Sequence, residues 1–201
     1  SLYQTTFNEA LRLAGSYIEV DQTEGSGGAI AVITHDDVVK SDFSGNPDYV
    51  TDQLVPIDHI GTDYAVIQGV GWDEDPLWSP APFPPDYIEI EDWVFVVGTE
   101  PATNFTVKRG PGGATTNHAV GQGGSVSISM NSLNSKIVTV NSDKPVYVYH
   151  MSGTGRQKAG ALIPTISSCT GSSRVAFNRT RSEADGYDFY LTILAWNQLG
   201  N

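Results

Sequence analysis

Hydrophobic and polar residues alternate with a period of two along much of the chain. The clearest case is residues 125–130 (SVSISM), in which Val126, Ile128 and Met130 share one face. Other short segments rich in β-branched and aromatic residues predict further strands at 29–34, 64–68, 93–97, 104–107, 136–140, 145–149, 174–177 and 187–195. Because no helices alternate with these segments, we predict an all-β fold of sandwich or jelly-roll-like units.

The segment 141–143 (Asn-Ser-Asp) consists of typical turn formers. It predicts that 136–140 and 145–149 are separate strands. Pro145 then begins the second of them, where a missing N–H costs least.

A second regularity indicates that the chain is a duplication. Three early blocks match three later blocks in the same order: 8–20 with 117–129, 33–39 with 140–146, and 53–57 with 161–165. The offsets are 109, 107 and 108 residues. We therefore predict two like β units packed together, a first unit at 1–69 and a second at 93–201. A duplicated β unit is more typical of a scaffold or binding module than of an enzyme.

The segment 70–92 separates the two units and is rich in proline, acidic residues and aromatic residues. It is too rich in proline to pair well in a sheet, so we predict a long inter-unit loop. Aromatic rings beside carboxylates fit a sugar- or peptide-binding site. The candidate ligand-binding residues are Trp72, Asp73, Asp75, Trp78, Phe83, Asp86 and Tyr87. The alternative is that these rings are buried and hold the loop against the surface.

Calcium is the metal that the sequence favours, because hard oxygen ligands are plentiful in the loop. Asp73, Glu74 and Asp75 are the candidate ligands, and a cluster of Asp36, Asp37 and Asp42 is the alternative. Neither matches an EF-hand loop, so a solvated acidic loop without an ion stays open. No other cofactor is predicted. The four histidines are scattered and Cys169 is the only cysteine, which argues against zinc.

The composition limits the classes of partner that this protein is expected to bind. The chain of 201 residues carries a net charge of −12, which argues against nucleic-acid binding because no basic surface can release counterions. No run of 18 apolar residues predicts a membrane span, and no basic amphipathic segment predicts membrane docking. The acidic, Gly/Ser/Thr-rich composition is common in secreted and surface-displayed β proteins.

Catalytic chemistry is weakly represented. Ser152 and His150, with Asp36 or Asp143, supply the residue types of a hydrolase triad, but no Gly-x-Ser-x-Gly elbow is present. We interpret 152–155 (SGTG) as a glycine turn after a strand. Glu89, Glu91 and Asp92 supply the carboxylates that a glycosidase needs, yet acids are common throughout this chain. We therefore expect no enzymatic activity.

The second unit contains five recognisable segments: EDWVFVVGT at 91–99, NFTV at 104–107, NSDKPVYVY at 141–149, ALIP at 161–164 and SCTGS at 168–172. Together they resemble the IgGFc-binding protein N-terminal domain family, a β-rich extracellular domain. The resemblance covers about 93–180 well and 10–69 more loosely. It implies an extracellular or cell-surface adhesion-type domain without catalytic residues, and it does not by itself imply immunoglobulin binding. The first unit has Asp37-Val38 where the second has Lys-Pro, and the acidic loop is not a family hallmark. A function particular to this protein is therefore expected in the loop.

These observations predict a non-catalytic binding or adhesion module, located outside the cell or on its surface. The expected partner is a surface glycan or an extracellular protein, and edge strands would also allow self-association. The alternatives are a structural module of a surface fibre or virion and a carbohydrate-active accessory domain.

Overall fold

The computed structural model describes residues 18, 30–39, 48–69, 90–130, 136–154 and 157–166. These residues form the following strands: β1 Ile33–Val39, β2 Asp48–Gln53, β3 Gly61–Ile67, β4 Ile90–Gly98, β5 Thr103–Arg109, β6 Thr115–Val120, β7 Ser125–Ser129, β8 Ile137–Thr154 and β9 Gln157–Leu162. The helical content of this part of the chain is a single 3-10 turn at Ile57–His59. The predicted all-β fold is confirmed.

All strand pairs are antiparallel. Strands β1 and β2 pair with each other, and the other seven strands form one curled sheet around β8. The first part of β8, at 137–142, lies between β3 and β5, whereas the second part, at 146–154, lies between β4 and β9. Strand β6 extends the first half of the sheet beyond β5, and β7 extends the second half beyond β4. The sheet therefore has two halves that share one strand.

Strand β8 corrects the prediction of two separate strands. It runs unbroken for 18 residues, so the turn formers at 141–143 and the supposed turn residues Ser152 and Gly153 all lie inside a strand. Pro145 lies where the neighbour of β8 changes, because pairing with β5 ends at Ser142 and pairing with β4 begins at Val146. A residue without an N–H is tolerated at this position because no ladder bond with β4 or β5 requires one.

Polar side chains form hydrogen bonds at the point where β8 changes from pairing with β5 to pairing with β4. Ser142 Oγ donates to the carbonyl of Lys144 at 2.7 Å. Both carboxylate oxygens of Asp143 accept hydrogen bonds from Asn104, one from its backbone N–H and one from Nδ2, each at 2.9 Å. The turn-forming residues therefore find their partners without leaving the sheet.

Both halves of the curled sheet contribute residues to one core. In β5 the buried residues alternate with exposed or partly buried ones, as period-two patterning requires, whereas Tyr64, Ala65 and Val66 of β3 are all buried. The members of the core come from both halves: Tyr64, Val66, Phe105, Val107, Val120, Val138 and Val140 from the first, and Val94, Val96, Ile128, Met130, Val146 and Val148 from the second. The predicted row in 125–130 is confirmed at Ile128 and Met130, which are buried, whereas Val126 is partly buried against the core.

The duplication stays a prediction. Most of the first matching block, and all of 167–201, lie outside the described residues.

Candidate functional site

The predicted ligand-binding and metal-binding residues of the acidic loop lie outside the described residues. They are Trp72, Asp73, Glu74, Asp75, Trp78, Phe83, Asp86 and Tyr87. The structure does describe both flanks of this segment, since β3 ends at Ile67 and is followed by Gly69, and β4 begins at Ile90. The candidate site is the cluster at these flanks.

Asp92 is the centre of the cluster. It precedes Val94 and Val96 on the core-facing side of β4, and its side chain is fully buried at 0% exposure. It lies directly opposite Ser152 on β8, and its backbone carbonyl accepts a hydrogen bond from the N–H of Met130 at 2.8 Å. A buried carboxylate is costly unless donors surround it, so its contacts decide whether this position is tolerated.

Three residues from two segments, β8 and the residues after β3, contact the Asp92 carboxylate. His150 Nε2 contacts Oδ1 in a close ion-pair geometry. The backbone N–H of Gly69 donates to Oδ2 at 2.6 Å, and Ser152 Oγ donates to the same oxygen at 3.4 Å. These contacts replace the water that the carboxylate loses on burial. They also join the segment before the acidic loop to the strand after it.

Gly69 is required here for space. A Cβ added at this position would lie 2.1 Å from Ser152 Oγ and 3.5 Å from Asp92 Oδ2. The backbone of residue 69 can therefore approach the carboxylate only without a side chain.

The cluster contains the residue types of a hydrolase but not its arrangement. In a triad the serine hydroxyl bonds to the histidine, which the carboxylate orients from the far side. Here both Ser152 and His150 contact Asp92, so the carboxylate holds two neighbours of one strand. Asp143, one of the predicted partners, is instead bonded to Asn104. Hydrogen bonds from the side chain and backbone of Asn104 lower the pKa of Asp143 below its ordinary value.

Sequence reasoning assigned Asp92 to the acidic loop and missed its role. The signal was available in the alternation of β4, since Asp92 has the same parity as Val94 and Val96 and is therefore expected to face the core.

A separate feature is a small cavity between the β2–β3 connection, β8 and β9. Its volume is about 110 Å³, and it is lined by Val55, His59, Ile60, Tyr64, Tyr147, Val148, Leu162, Ile163, Pro164 and Thr165. The hydroxyl of Tyr147 donates to the carbonyl of Val55. Sites for drug-sized ligands are roughly 300–1,000 Å³, so this cavity is too small for such a ligand.

Tyr64 and Tyr147 line this cavity, and Tyr149 lies opposite the lining residue Leu162 in the pairing of β8 with β9. Burial raises the pKa of Tyr64 and of Tyr147, and burial together with the charge of Asp52 raises that of Tyr149. The Tyr64 hydroxyl donates to the carbonyl of Val146 at 2.6 Å and accepts from the N–H of Gly61 at 2.9 Å. These contacts attach β3 to β8 and leave no polar group of Tyr64 available to a ligand.

No metal centre is present in the part of the chain that the structure describes, where no three His, Cys, Asp or Glu residues lie close enough to hold an ion. The predicted calcium ligands Asp73, Glu74 and Asp75 fall outside that part.

Comparison with known families gives a match over nearly the whole chain. The model of the family described as IgGFc binding protein matches residues 2–198. The chain belongs to this family. The match confirms the resemblance seen at 93–180 and 10–69, and it also spans the acidic segment 70–92.

Membership of the IgGFc-binding family indicates an extracellular binding module. Comparisons with curated proteins and with solved structures gave no significant match. Across the residues that the structure describes, no helix has the length and hydrophobicity needed to cross a bilayer.

Proposed function

We propose that this protein is a non-catalytic adhesion module that binds a protein ligand outside the cell. The observation that carries the proposal is the match of the IgGFc-binding family over residues 2–198. A surface glycan is the alternative ligand, since the aromatic and acidic residues of the loop also fit a sugar.

The contacts of the Asp92 cluster support a binding role over catalysis. The groups that a hydrolase would use are committed to a structural purpose, because Ser152 and His150 both contact the buried carboxylate. A cleft with an activated nucleophile would instead need the serine on the histidine.

The same cluster supports the acidic loop as the ligand-binding segment. Its two flanks are joined through Gly69 and Asp92, and β4 continues from there into the core. Fixing the ends of a binding segment lowers the entropy that is lost on binding. We propose that Trp72 and Trp78 are the main contacts, because large aromatic side chains dominate binding energy in most interfaces.

Binding of the whole protein to an immobilised panel tests the proposal. The panel contains the Fc fragment of immunoglobulin G, which the family description names, and an array of surface glycans. Retention of the wild-type protein on a panel member, reduced at least about 30-fold in Trp72→Ala or Trp78→Ala, is the expected result.

Ile57→Ala is the matched control, because Ile57 is 52% exposed and lies outside the loop. Equal retention of all variants on every bound ligand would contradict the loop assignment. A stable trimer in light scattering, without retention on any panel member, would favour a structural module of a fibre or virion.

A further inference from the structure

Four strands of the curled sheet have a side on which the structure describes no paired strand: β3, β6, β7 and β9. In an antiparallel pair, alternate residues direct their N–H and C=O groups away from the partner strand. Such outward groups are a template for pairing with another chain, so natural proteins usually cover or protect them.

Three of these strands are capped on their outer side by another part of the protein. On β3, the carbonyl of Asp63 accepts a hydrogen bond from the N–H of Ile166 at 2.7 Å. On β7, the carbonyl of Ser129 accepts one from Arg109 Nη1 at 3.1 Å. On β9, the N–H of Leu162 donates to Asp52 Oδ2 at 2.7 Å. Each contact occupies an outward group and obstructs the approach of a further strand.

Strand β6 carries no such cap among the described residues. The N–H of Arg109 donates to the carbonyl of Ala114 at 3.2 Å, which identifies that pair as hydrogen-bonded. Counting from it along the register of β5 and β6, the residues that direct their backbone outward are Thr115, Asn117 and Ala119. All three are exposed.

The sequence of β6 also lacks the usual protection of a free edge. TTNHAV contains no proline and no charged residue, and its pairing with β5 runs without a bulge from Thr115 to Val120. A cross-strand contact supports the pairing of β6 with β5, because the His118 ring stacks on the buried Phe105 ring opposite it at a centroid distance of 5.1 Å. Thr116 Oγ1 and His118 Nε2 lie 2.8 Å apart and form a further hydrogen bond. The outer edge of β6 is therefore ordered, is not capped by any described residue, and is suited to pairing with a further strand.

We propose that β6 is the docking edge for an extended segment of a protein partner, which adds to the sheet as a further strand. The inference rests on the proposed function, in which the ligand is a protein, and names a second contact surface for it. The outward groups of Thr115, Asn117 and Ala119 form the hydrogen bonds, so recognition depends on the partner's backbone more than on its side chains.

The partner segment is expected to be neutral or basic. The chain has a net charge of −12, which repels acidic segments and also repels a second copy of this chain. The strand itself is uncharged, so no single ion pair is expected to fix the register.

Selection of random dodecapeptides displayed on phage, with the intact protein as bait, tests the inference. Enriched peptides are synthesised and measured against three proteins: wild type, Asn117→Pro and Asn117→Ala. Proline removes only an outward N–H at this position, since residue 117 donates no ladder bond to β5. Asn117→Ala changes the side chain and keeps the backbone.

We expect enriched peptides with strand-like alternation that bind wild type and Asn117→Ala equally and bind Asn117→Pro at least about tenfold more weakly. Methylation of alternate peptide amides should also abolish binding. Hydrogen exchange of the wild-type protein, which does not depend on any variant folding, should show that the peptide protects the amides of Thr115, Asn117 and Ala119.

Failure to enrich any peptide, equal binding to Asn117→Pro in its folded form, or protection confined to another region would overturn the inference. So would a wild-type dimer whose own β6 amides are protected without peptide, because the occupant would then be a second copy. If the Fc fragment or another panel member binds through the loop while β6 accepts nothing, the proposed function stands and this inference alone fails.

Discussion

The backbone N–H of Gly69 donates a 2.6 Å hydrogen bond to the carboxylate of Asp92, 23 residues later in the chain. This contact joins the two flanks of the acidic loop inside the protein, because Asp92 is fully buried. The loop therefore begins and ends at a fixed place on the sheet, and the stability of that place depends on one carboxylate.

Replacement of Asp92 by Asn should destabilise the protein by about 3 kcal/mol. The amide cannot accept from all of the donors around it, and the NH₂ group would face the N–H of Gly69 or the ring of His150. Urea unfolding at neutral pH measures the loss. Asp58→Asn is the control, since Asp58 is exposed in the 3-10 turn and should change the free energy of unfolding by less than about 0.5 kcal/mol. An Asp92→Asn variant as stable as the control would show that the cluster is not stabilising.

Replacement of Gly69 by Ala should lower the melting temperature, and Ser152→Gly should restore most of the loss. The new Cβ would meet Ser152 Oγ at 2.1 Å and Ser152 Cβ at 3.2 Å, so removal of the whole serine side chain relieves both contacts. A double-mutant cycle of the two substitutions, followed by thermal unfolding, measures the coupling. Additive effects of the two changes would contradict the close packing of residues 69 and 152.

The Asn104–Asp143 contact predicts a pH-dependent contribution to stability. Because the folded-state pKa of Asp143 lies below its ordinary value of 3.8, the contribution is present above that value and is lost as the pH falls through the folded pKa. Wild type should therefore exceed Asp143→Asn in urea midpoint at pH 7, and the difference should shrink towards pH 2. A difference that stays constant across this range would show that the carboxylate charge is irrelevant.

Alkaline pH should destabilise the protein through its buried tyrosines. Burial raises the pKa of Tyr64 above its ordinary value of 10.0, so the stability it contributes is complete below pH 10 and is lost as the pH rises through the folded pKa. Tyr64→Phe should cost about 1–2 kcal/mol at pH 7, because it removes the hydrogen bonds with Val146 and Gly61. Thermal melts between pH 8 and 12 should then show a shallower decline for the variant than for wild type.

Calcium binding by Asp73, Glu74 and Asp75 remains a prediction with a direct test. A ligand that binds the folded state must raise the melting temperature, by an amount that grows with its concentration. Melting curves in millimolar calcium and in chelator should differ for wild type, and the difference should vanish in the combined Asp73→Asn, Glu74→Gln and Asp75→Asn variant. Identical curves for wild type in the two buffers would exclude a native calcium site.

The sequence located β3, β4, β5, β7 and both parts of β8, because alternation reports which face is buried. It placed the first strand at 29–34, whereas β1 spans Ile33–Val39, and it did not predict β2, β6 or β9. Tyr64 and Val66 in β3, Phe105 and Val107 in β5, and Ile128 in β7 all follow the predicted period. What the sequence could not show was that one strand serves four neighbours.

The part of β8 where its neighbours change, near residue 143, illustrates why. Asn, Ser, Asp and Pro near residue 143 are the residues expected in a turn, and local pattern alone cannot reveal that Asn104 and Thr62 supply their partners from distant strands. The Asp92 cluster was missed for the same reason, since an acidic residue at the edge of an acidic segment is normally solvated. Its burial depends on Gly69 and His150, which no local pattern connects to it.

Strand β8 belongs to both halves of the sheet, because β3 and β5 pair with its first part and β4 and β9 with its second. A fragment that stops before residue 146 lacks β9 and leaves β4 with β7 as its only neighbour, and one that starts after residue 142 leaves the second part of β8 with β9 alone. Neither half is therefore an independent folding unit, and circular permutants of this protein should fold only when the new termini fall outside β8.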